Sequence, residues 1–341
     1  MTIYYLSYLL YILGFICISL SISFLFAIKF RIIKFIEGII WIRWYSEKIK
    51  APYTFNKNQI PQMLFRISTC WFRSYPSIYI IGEMKCGTTS LNDYLNQHPQ
   101  IKCSNQFIKE PHFFEGRSIF RDNFEDCPWL YKSFFDWKWK KSIYQIDATP
   151  QKLFLTFILH KIKKITPNAK IIICVREPVS RAISNYSMLY NRKKEIRDIN
   201  QLFNDKLNEQ YAIQYSQLQQ LQLENKSIKP YIDSHQFIFP QLDYQYISRG
   251  NYIDKIRICD KLFGKNMVII NQKELLKNPI NVLDNIFKFL SIPNIKNIKI
   301  TEKNKGIIIP VLNDEIKNKM NKYYEKSNQE LFNEYGINLI D

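Results

Sequence analysis

The chain has 341 residues, 46% hydrophobic and 15% aromatic, enough apolar side chain to exclude a disordered tail or a collagen-like repeat. Lys and Arg number 48 against 30 Asp and Glu, a formal charge of +18 that points to an anionic partner: nucleic acid, a membrane surface, or a phosphorylated or sulfated molecule. Seven cysteines without a CxxC pair, and four histidines, argue against a structural zinc site and against a disulfide scaffold.

Residues 3–28 carry no charged side chain. As a helix they would span roughly 39 Å, more than the ~30 Å hydrocarbon core of a bilayer. The apolar run is longer than that of a cleavable signal peptide and lacks a basic start, so it reads as a retained membrane anchor. The competing readings are an uncleaved signal-like segment and a buried hydrophobic helix. Lys29, Arg31 and Lys34 follow the span, and the positive-inside rule would put the rest of the chain in the cytosol. Residues 30–50 mix Phe35, Ile39, Trp41 and Trp44 with Arg43, Lys48 and Lys50, which suits the bilayer interface or packing on the folded domain. The anchor and its flank are therefore assigned to residues 1–50. Residues 51–76, with three prolines and little periodicity, read as a stem.

From Ser77 the pattern alternates strand and helix. Ser77 to Gly82 is an apolar run ending at glycine, and a helix starts at Thr88. Ser142 to Asp147 is a second strand candidate, and Leu153 to Lys164 a helix. Ala169-Lys-Ile-Ile-Ile-Cys-Val175 is the strongest strand, nearly all aliphatic, as expected of a central parallel strand. Pro178 opens a helix in the favoured first-turn position. Asn266 to Asn271 is a further strand and Val282 to Leu290 a further helix. This alternation predicts an α/β domain over residues 77–341 with a central, mainly parallel sheet. Asn200 to Tyr246 is Gln-, Asn- and Tyr-rich, helical at first and then irregular.

Gly82-Glu-Met-Lys85-Cys-Gly87-Thr88-Thr89 lies between a strand and a helix, the setting for an anion cradle of backbone N–H groups at a helix start. The glycine spacing matches the opening of a P-loop, but Thr88 stands where a Walker loop has its lysine. That disfavours a nucleotide kinase and predicts a P-loop-like, three-layer domain of another kind.

The segment Ile81-Gly-Glu-Met-Lys-Cys-Gly-Thr-Thr-Ser-Leu91 resembles the 5′-phosphosulfate loop of sulfotransferases that use 3′-phosphoadenosine 5′-phosphosulfate (PAPS). Lys109-Glu-Pro-His-Phe-Phe114 is similar to a segment of glycosaminoglycan sulfotransferases. Pro167 to Tyr186, with Arg176-Glu-Pro-Val-Ser-Arg181, is similar to their 3′-phosphate motif. Gly250-Asn-Tyr252 and Asn304-Lys-Gly306 also have counterparts. The resemblance covers about Ser77 to Tyr335 and falls in the branch of heparan sulfate N- and 3-O-sulfotransferases and chondroitin N-acetylgalactosamine 4-sulfate 6-O-sulfotransferases.

The resemblance implies a membrane-anchored enzyme that moves a sulfuryl group from PAPS to a glycan hydroxyl or amine, releasing 3′-phosphoadenosine 5′-phosphate (PAP). Lys85, Cys86, Gly87, Thr88, Thr89 and Ser90 would hold the 5′ phosphosulfate, with Lys85 also neutralising the leaving group. Arg176 and Ser184 would hold the 3′ phosphate. Lys305 and Gly306 match a loop that closes over the nucleotide, although the cysteine pair flanking that loop in heparan sulfate enzymes is absent here. Glu110 matches the general base, with His112 as runner-up or acceptor-orienting residue. The stretch Gln145-Ile-Asp147-Ala-Thr-Pro150 lacks a lysine that heparan sulfate members use, which leans toward the chondroitin branch. No metal is implied. The expected partners are an anionic polysaccharide and, through the anchor, a membrane; no nucleic-acid motif is recognisable. The family's usual place is the Golgi membrane with a lumenal catalytic domain, opposite to what the basic flank predicts. A fold of this kind that binds anionic glycans without catalysis is the alternative. Asn225-Lys-Ser227 is a possible glycosylation sequon. Asn185-Tyr-Ser187 also fits the pattern, but its place in the phosphate-binding helix predicts no glycan there.

Overall fold

Short aliphatic segments in the second half of each alternating unit zip into a five-stranded, all-parallel sheet of order β2-β3-β1-β4-β5. The strands are β1 (Ile78–Ile80), β2 (Ile101–Cys103), β3 (Tyr144–Asp147), β4 (Lys170–Val175) and β5 (Met267–Asn271). The computed structural model describes residues 60–104, 110–114, 128–139, 144–204, 245–301 and 310–340. Contacts divide the chain into Met1–Asn58 and Gln59–Asp341, the latter one compact unit with its own core. The predicted anchor and its interfacial flank lie outside the described residues. Among the described residues no helix is long and apolar enough to cross a membrane.

Every residue of β1 and all but the first of β4 are buried, which is why these segments carry unbroken Ile, Tyr, Cys and Val rather than an alternating pattern. Burying each such side chain stabilises the fold by about 1.5–3 kcal/mol. On one face, Ile78, Ile80, Ile172 and Cys174 pack against α2 (Thr88–Leu95) and α8 (Pro279–Leu290) through Leu91, Leu95, Leu283 and Phe287. On the other, the hydroxyls of Tyr79 and Thr166 bond at 3.1 Å just past α3 (Phe157–Ile165), which packs on α6 (Ile253–Phe263). The result is helix–sheet–helix layering. A second cluster joins α4 (Pro178–Asn191) and α5 (Ile199–Asn204) to α9 (Asp314–Tyr335) through Val179, Tyr186, Phe203 and Tyr324. Between β5 and α8 lies α7 (Gln272–Lys277).

Two local readings differ from the sequence expectation. Of the segment read as a stem, Ile60–Ser68 is a helix, α1. Its Arg66 guanidinium donates to the carbonyls of Ser133 and Phe135, both at 2.6 Å. The helix expected from Leu153 begins at Phe157, behind a tight 3₁₀ turn at Pro150–Lys152. The cause is a buried charge. The Asp147 carboxylate accepts Thr149 N–H (2.9 Å), Thr149 Oγ1–H (2.7 Å), Lys152 Nζ (2.7 Å) and the Tyr131 hydroxyl, and draws the chain around itself. Asp147 and Lys152 are both fully buried.

Burial alone would raise the Asp147 pKa; the Lys152 ammonium and the bonds from Lys152, Tyr131 and Thr149 outweigh it and hold the carboxyl below its ordinary value. An unfolded aspartate takes up its proton first, near pH ~4, so the stability from this pair is present above that value. It is lost as pH falls through the lower, folded value. Asp147→Asn is expected to lower the thermal midpoint at neutral pH, since it strands a buried ammonium at a cost of about 3–5 kcal/mol. It should also flatten the decline in midpoint between pH 5 and pH 3, as followed by circular dichroism.

Candidate active site

All strands being parallel, their carboxyl ends share one edge of the sheet, and in such folds ligands sit where the chain switches direction across it. β1 is that switch: the chain leaves it for β2 and β3 on one side and reaches β4 on the other. The loop after β1 presses on β4 so closely that a Cβ on Gly82 would lie 2.0 Å from the Cys174 backbone nitrogen, so only glycine fits. Gly87, the N-cap of α2, takes a left-handed φ of 85°. Lys85 also sits left-handed, at φ 72°, a strain of about 1–2 kcal/mol for a side-chain-bearing residue. Strain of this kind persists where surrounding structure over-determines it.

The loop's shape has a hidden support. Glu83 is fully buried and pairs with Arg249, also fully buried, from the turn before α6. The same Glu83 oxygen accepts Met84 N–H at 2.9 Å, and Cys86 N–H donates to Glu83 O at 3.1 Å. Cys86 turns inward: burial pushes its thiol up to about 12, and it faces the Tyr252 hydroxyl at 3.8 Å. Its contribution to the loop is packing and the N–H held within the loop. The amides of Thr88, Thr89 and Ser90 lie in the first turn of the helix, the end whose orphan N–H groups suit an anion.

Arg176 follows directly on β4, and its Nη1 donates to the Lys85 carbonyl at 3.4 Å, which ties its side chain to the loop that carries Lys85. Tyr252 Oη donates to the Arg176 carbonyl at 2.9 Å, so the Gly250-Asn-Tyr252 segment holds the strand end. Glu177, a conceivable salt-bridge partner of Arg176, instead caps α4, accepting Val179 N–H (2.7 Å) and Ser180 N–H (2.6 Å). Ser184 lies half-buried in α4, downstream of Arg176. Asn185 beside it is fully buried, unlike an occupied glycosylation site.

A third cation belongs to this group and was not anticipated. Arg192, the C-cap of α4, lies close enough to Lys85 to disturb it. The Lys85 pKa is lowered by burial first, then by the positive charges of Arg192 and Arg176. Among the described residues no carboxylate pairs with Lys85, Arg176 or Arg192. Three mutually repelling cations beside a helix start are an arrangement that suits an anion. The sequence held one sign of it, the basic run Arg192-Lys-Lys194 at the end of a predicted helix.

Glu110 and His112 face each other, Glu110 Oε2 to His112 Nε2 at 3.2 Å. His112 is buried with φ 47°. The segment is docked by Phe113 and Phe114, whose rings lie 4.9 and 4.8 Å from that of Tyr131. Tyr131 bonds Asp147 at the end of β3, the neighbour of β1. The Glu110 segment is thus tied through Tyr131 to the last residue of β3. Lys152, just beyond the stretch that lacks the expected lysine, spends its ammonium on Asp147 and on the Thr149 carbonyl (3.4 Å) and does not reach out of the core. His98 is structural, held between Pro293 O and Gln100 N–H. Lys305, Gly306 and Asn225 lie outside the described residues.

An α/β sheet with a lysine-bearing anion loop at its switch point, and no Walker lysine, defines a class of group-transfer domain. Residues 76–238 match the sulfotransferase family. The chain is 31% identical over 119 residues to mouse (Mus musculus) heparan sulfate glucosamine 3-O-sulfotransferase 5, covering 35% of this chain and 32% of that protein. It is 27% identical over 169 residues to human (Homo sapiens) carbohydrate sulfotransferase 15, covering 38% of this chain and 30% of that one. The matched stretch thus spans about a third of these relatives. The crystal structure of a sulfotransferase from Alicyclobacillus acidocaldarius shares the fold, with a TM-score of 0.54 at 19% identity over 76% of this chain and 95% of that one.

Proposed function

We propose that the chain transfers a sulfuryl group from PAPS to a hydroxyl or amine of a glycan, an anionic polysaccharide of glycosaminoglycan type. The observation that carries the reading is the group of cations Lys85, Arg176 and Arg192 beyond the carboxyl ends of β1 and β4. A donor with a phosphosulfate at one end and a phosphate at the other suits such a group of cations. The first-turn amides of α2 and Lys85 take the first, and Arg176 with Ser184 the second.

The acceptor O–H or N–H gives its proton to the Glu110 carboxylate as its oxygen or nitrogen bonds to sulfur. On the opposite side the bond from sulfur to the bridging phosphate oxygen breaks, and PAP departs. Lys85 faces the charge that grows on that oxygen, which makes its contribution largest at the transition state. His112 lies beside the Glu110 carboxylate, its Nε2 3.2 Å from Oε2, and would orient the acceptor. The names of the relatives, which act on heparan sulfate and other carbohydrates, favour a glycan acceptor, and the basic surface suits an anionic one. The apolar span and the resemblance together favour a Golgi membrane with the domain in the lumen.

The test is calorimetric titration with PAP and, separately, with ATP plus magnesium. PAP is expected to bind in preference, with Arg176→Ala weakening it by about 1.5–3 kcal/mol, the range for a hydrogen bond to a charged group. Preference for ATP would overturn the donor assignment. PAP binding without turnover on any glycan would favour the glycan-binding, non-catalytic alternative.

A further inference from the structure

The stretch of chain before α6 ties several parts of the fold together. The Tyr246 carbonyl accepts Arg181 of α4, the Ile247 carbonyl accepts the Tyr324 hydroxyl of α9 at 2.7 Å, and Arg249 pairs with Glu83 of the loop after β1. Gly250 lets the chain pass close: a Cβ there would lie 2.9 Å from Pro178 Cβ and 2.9 Å from Tyr324 Cε1. The stretch ends at Tyr252, the N-cap of α6, whose ring is fully buried.

The Tyr252 hydroxyl meets residues of two different motifs. It lies 2.9 Å from the carbonyl of Arg176, the residue after β4, and 3.8 Å from Sγ of Cys86, in the loop after β1. A carbonyl can only accept, so the single phenolic proton goes to Arg176 and the oxygen's lone pairs are left to the thiol. Burial keeps both groups protonated, the tyrosine well above its ordinary pKa and the thiol at about 12. The thiol has two acceptors in reach, Tyr252 Oη at 3.8 Å and the Met84 carbonyl at 4.0 Å, and Oη is the nearer. Cys86 stands between Lys85 and Gly87, the N-cap of α2.

A buried tyrosine usually finds a partner for its hydroxyl. Tyr252 differs in that its partners belong to the two loops of the proposed donor site and not to its own helix. A second link between those loops, from Arg176 Nη1 to the Lys85 carbonyl, is 3.4 Å long and correspondingly weak. The shorter bond to Arg176 is the one from Tyr252.

We propose that Tyr252 is a positioning residue that couples the two ends of the donor site, so that an anion held at one loop orders the backbone of the other. This role rests on the donor assignment above. The hydroxyl is spent inside the protein and acts on the donor only through Cys86 and Arg176. A ligand bearing both anionic groups then gains an increment of affinity that depends on this hydroxyl.

The test compares a ligand with both phosphate ends, PAP, and one that lacks the 3′ phosphate, adenosine 5′-monophosphate (5′-AMP). Calorimetry follows each with the full chain and with Tyr252→Phe. The parent is expected to bind PAP more tightly than 5′-AMP. In Tyr252→Phe the ratio of the two affinities should fall about tenfold, a usual size for coupling between sites, while 5′-AMP binding stays within about twofold. A tyrosine with a purely structural role would lower the melting point and leave that ratio as in the parent, and an unchanged ratio overturns the proposal. Cys86→Ala is the second variant, and it decides the question if Tyr252→Phe does not fold. It removes the sulfur on the loop side and keeps the bond to Arg176, and the ratio should fall there as well; an unchanged ratio in this variant overturns the proposal equally. The two readings fail differently. A parent that binds 5′-AMP as tightly as PAP removes the donor assignment and this role with it. A parent that prefers PAP, with variants that keep the same preference, removes the coupling alone.

Discussion

Lys85→Ala is expected to leave a folded domain whose turnover falls by about 10²–10³, the loss seen when a preorganised donor to a developing oxyanion is removed. PAP affinity should fall much less, because the first-turn amides of α2, Arg176 and Arg192 still hold its phosphates. The reason lies in where charge appears. In the bound donor the bridging oxygen is nearly neutral; as the sulfur–oxygen bond breaks it becomes a full phosphate oxygen, and only then does an ammonium beside it gain its full interaction. Lys85 is also primed for that moment. Burial and two neighbouring guanidinium groups already depress its pKa, so an added negative charge relieves repulsion as well as creating attraction. Lys85→Gly supplies the control. It removes the cost of the left-handed φ of 72° and should be at least as stable as the alanine variant, yet equally slow in a transfer assay with labelled PAPS. A glycine variant as fast as the parent would remove Lys85 from the reaction.

Much of this arrangement was legible in the sequence because it is local. Ala169 to Val175 could only be a buried parallel strand, and β4 occupies Lys170–Val175. Gly82 and Gly87 announced a loop between strand and helix, and both glycines are demanded by the backbone. The 3₁₀ turn at Pro150 was not legible, since it answers to a carboxylate buried by distant chain. Nor was β2: Ile101-Lys-Cys103 is three residues with a polar centre, and only pairing with β3 makes it a strand. The helix α9 was missed for a related reason. Its apolar positions are sparse, and Ile316, Met320 and Tyr324 find partners on α4 and α5 that no local pattern reveals. In the candidate site, Lys85 and Arg176 could be proposed from the sequence because each lies in a motif that follows a strand. Arg192 could not, because its approach to Lys85 depends on the length and direction of α4. The Glu83–Arg249 pair joins residues 166 positions apart, and nothing near either one signals the other.

That pair carries the other large expected effect. Arg249→Met alone should destabilise the domain by about 3–5 kcal/mol, because it leaves the Glu83 carboxylate buried without its counter-ion. It also removes the guanidinium from the Phe154 ring, 4.5 Å away. Glu83→Met/Arg249→Met should recover most of that loss, since a buried ion pair and an apolar pair of similar volume are often close in stability. The two measurements then separate folding from loop geometry. In the double variant Met84 N–H loses the oxygen that received it, which loosens the turn that carries Lys85 into its left-handed conformation. Melting temperature should therefore return while turnover stays low, by about the 10²-fold that a displacement near 1 Å costs an aligned reaction. Recovery of both would make the pair a feature of stability alone. The neighbouring Lys255 offers a second readout. Burial pulls its pKa down to about 7; Glu83 opposes that pull and Arg249 adds to it, Glu83 the more strongly, so removing both should lower the Lys255 pKa slightly further. A depressed lysine pKa means the unfolded chain binds the extra proton, so between the folded and unfolded values stability rises with pH. In the double variant that rise should begin at a lower pH than in the parent, which melting curves from pH 5 to pH 9 would show.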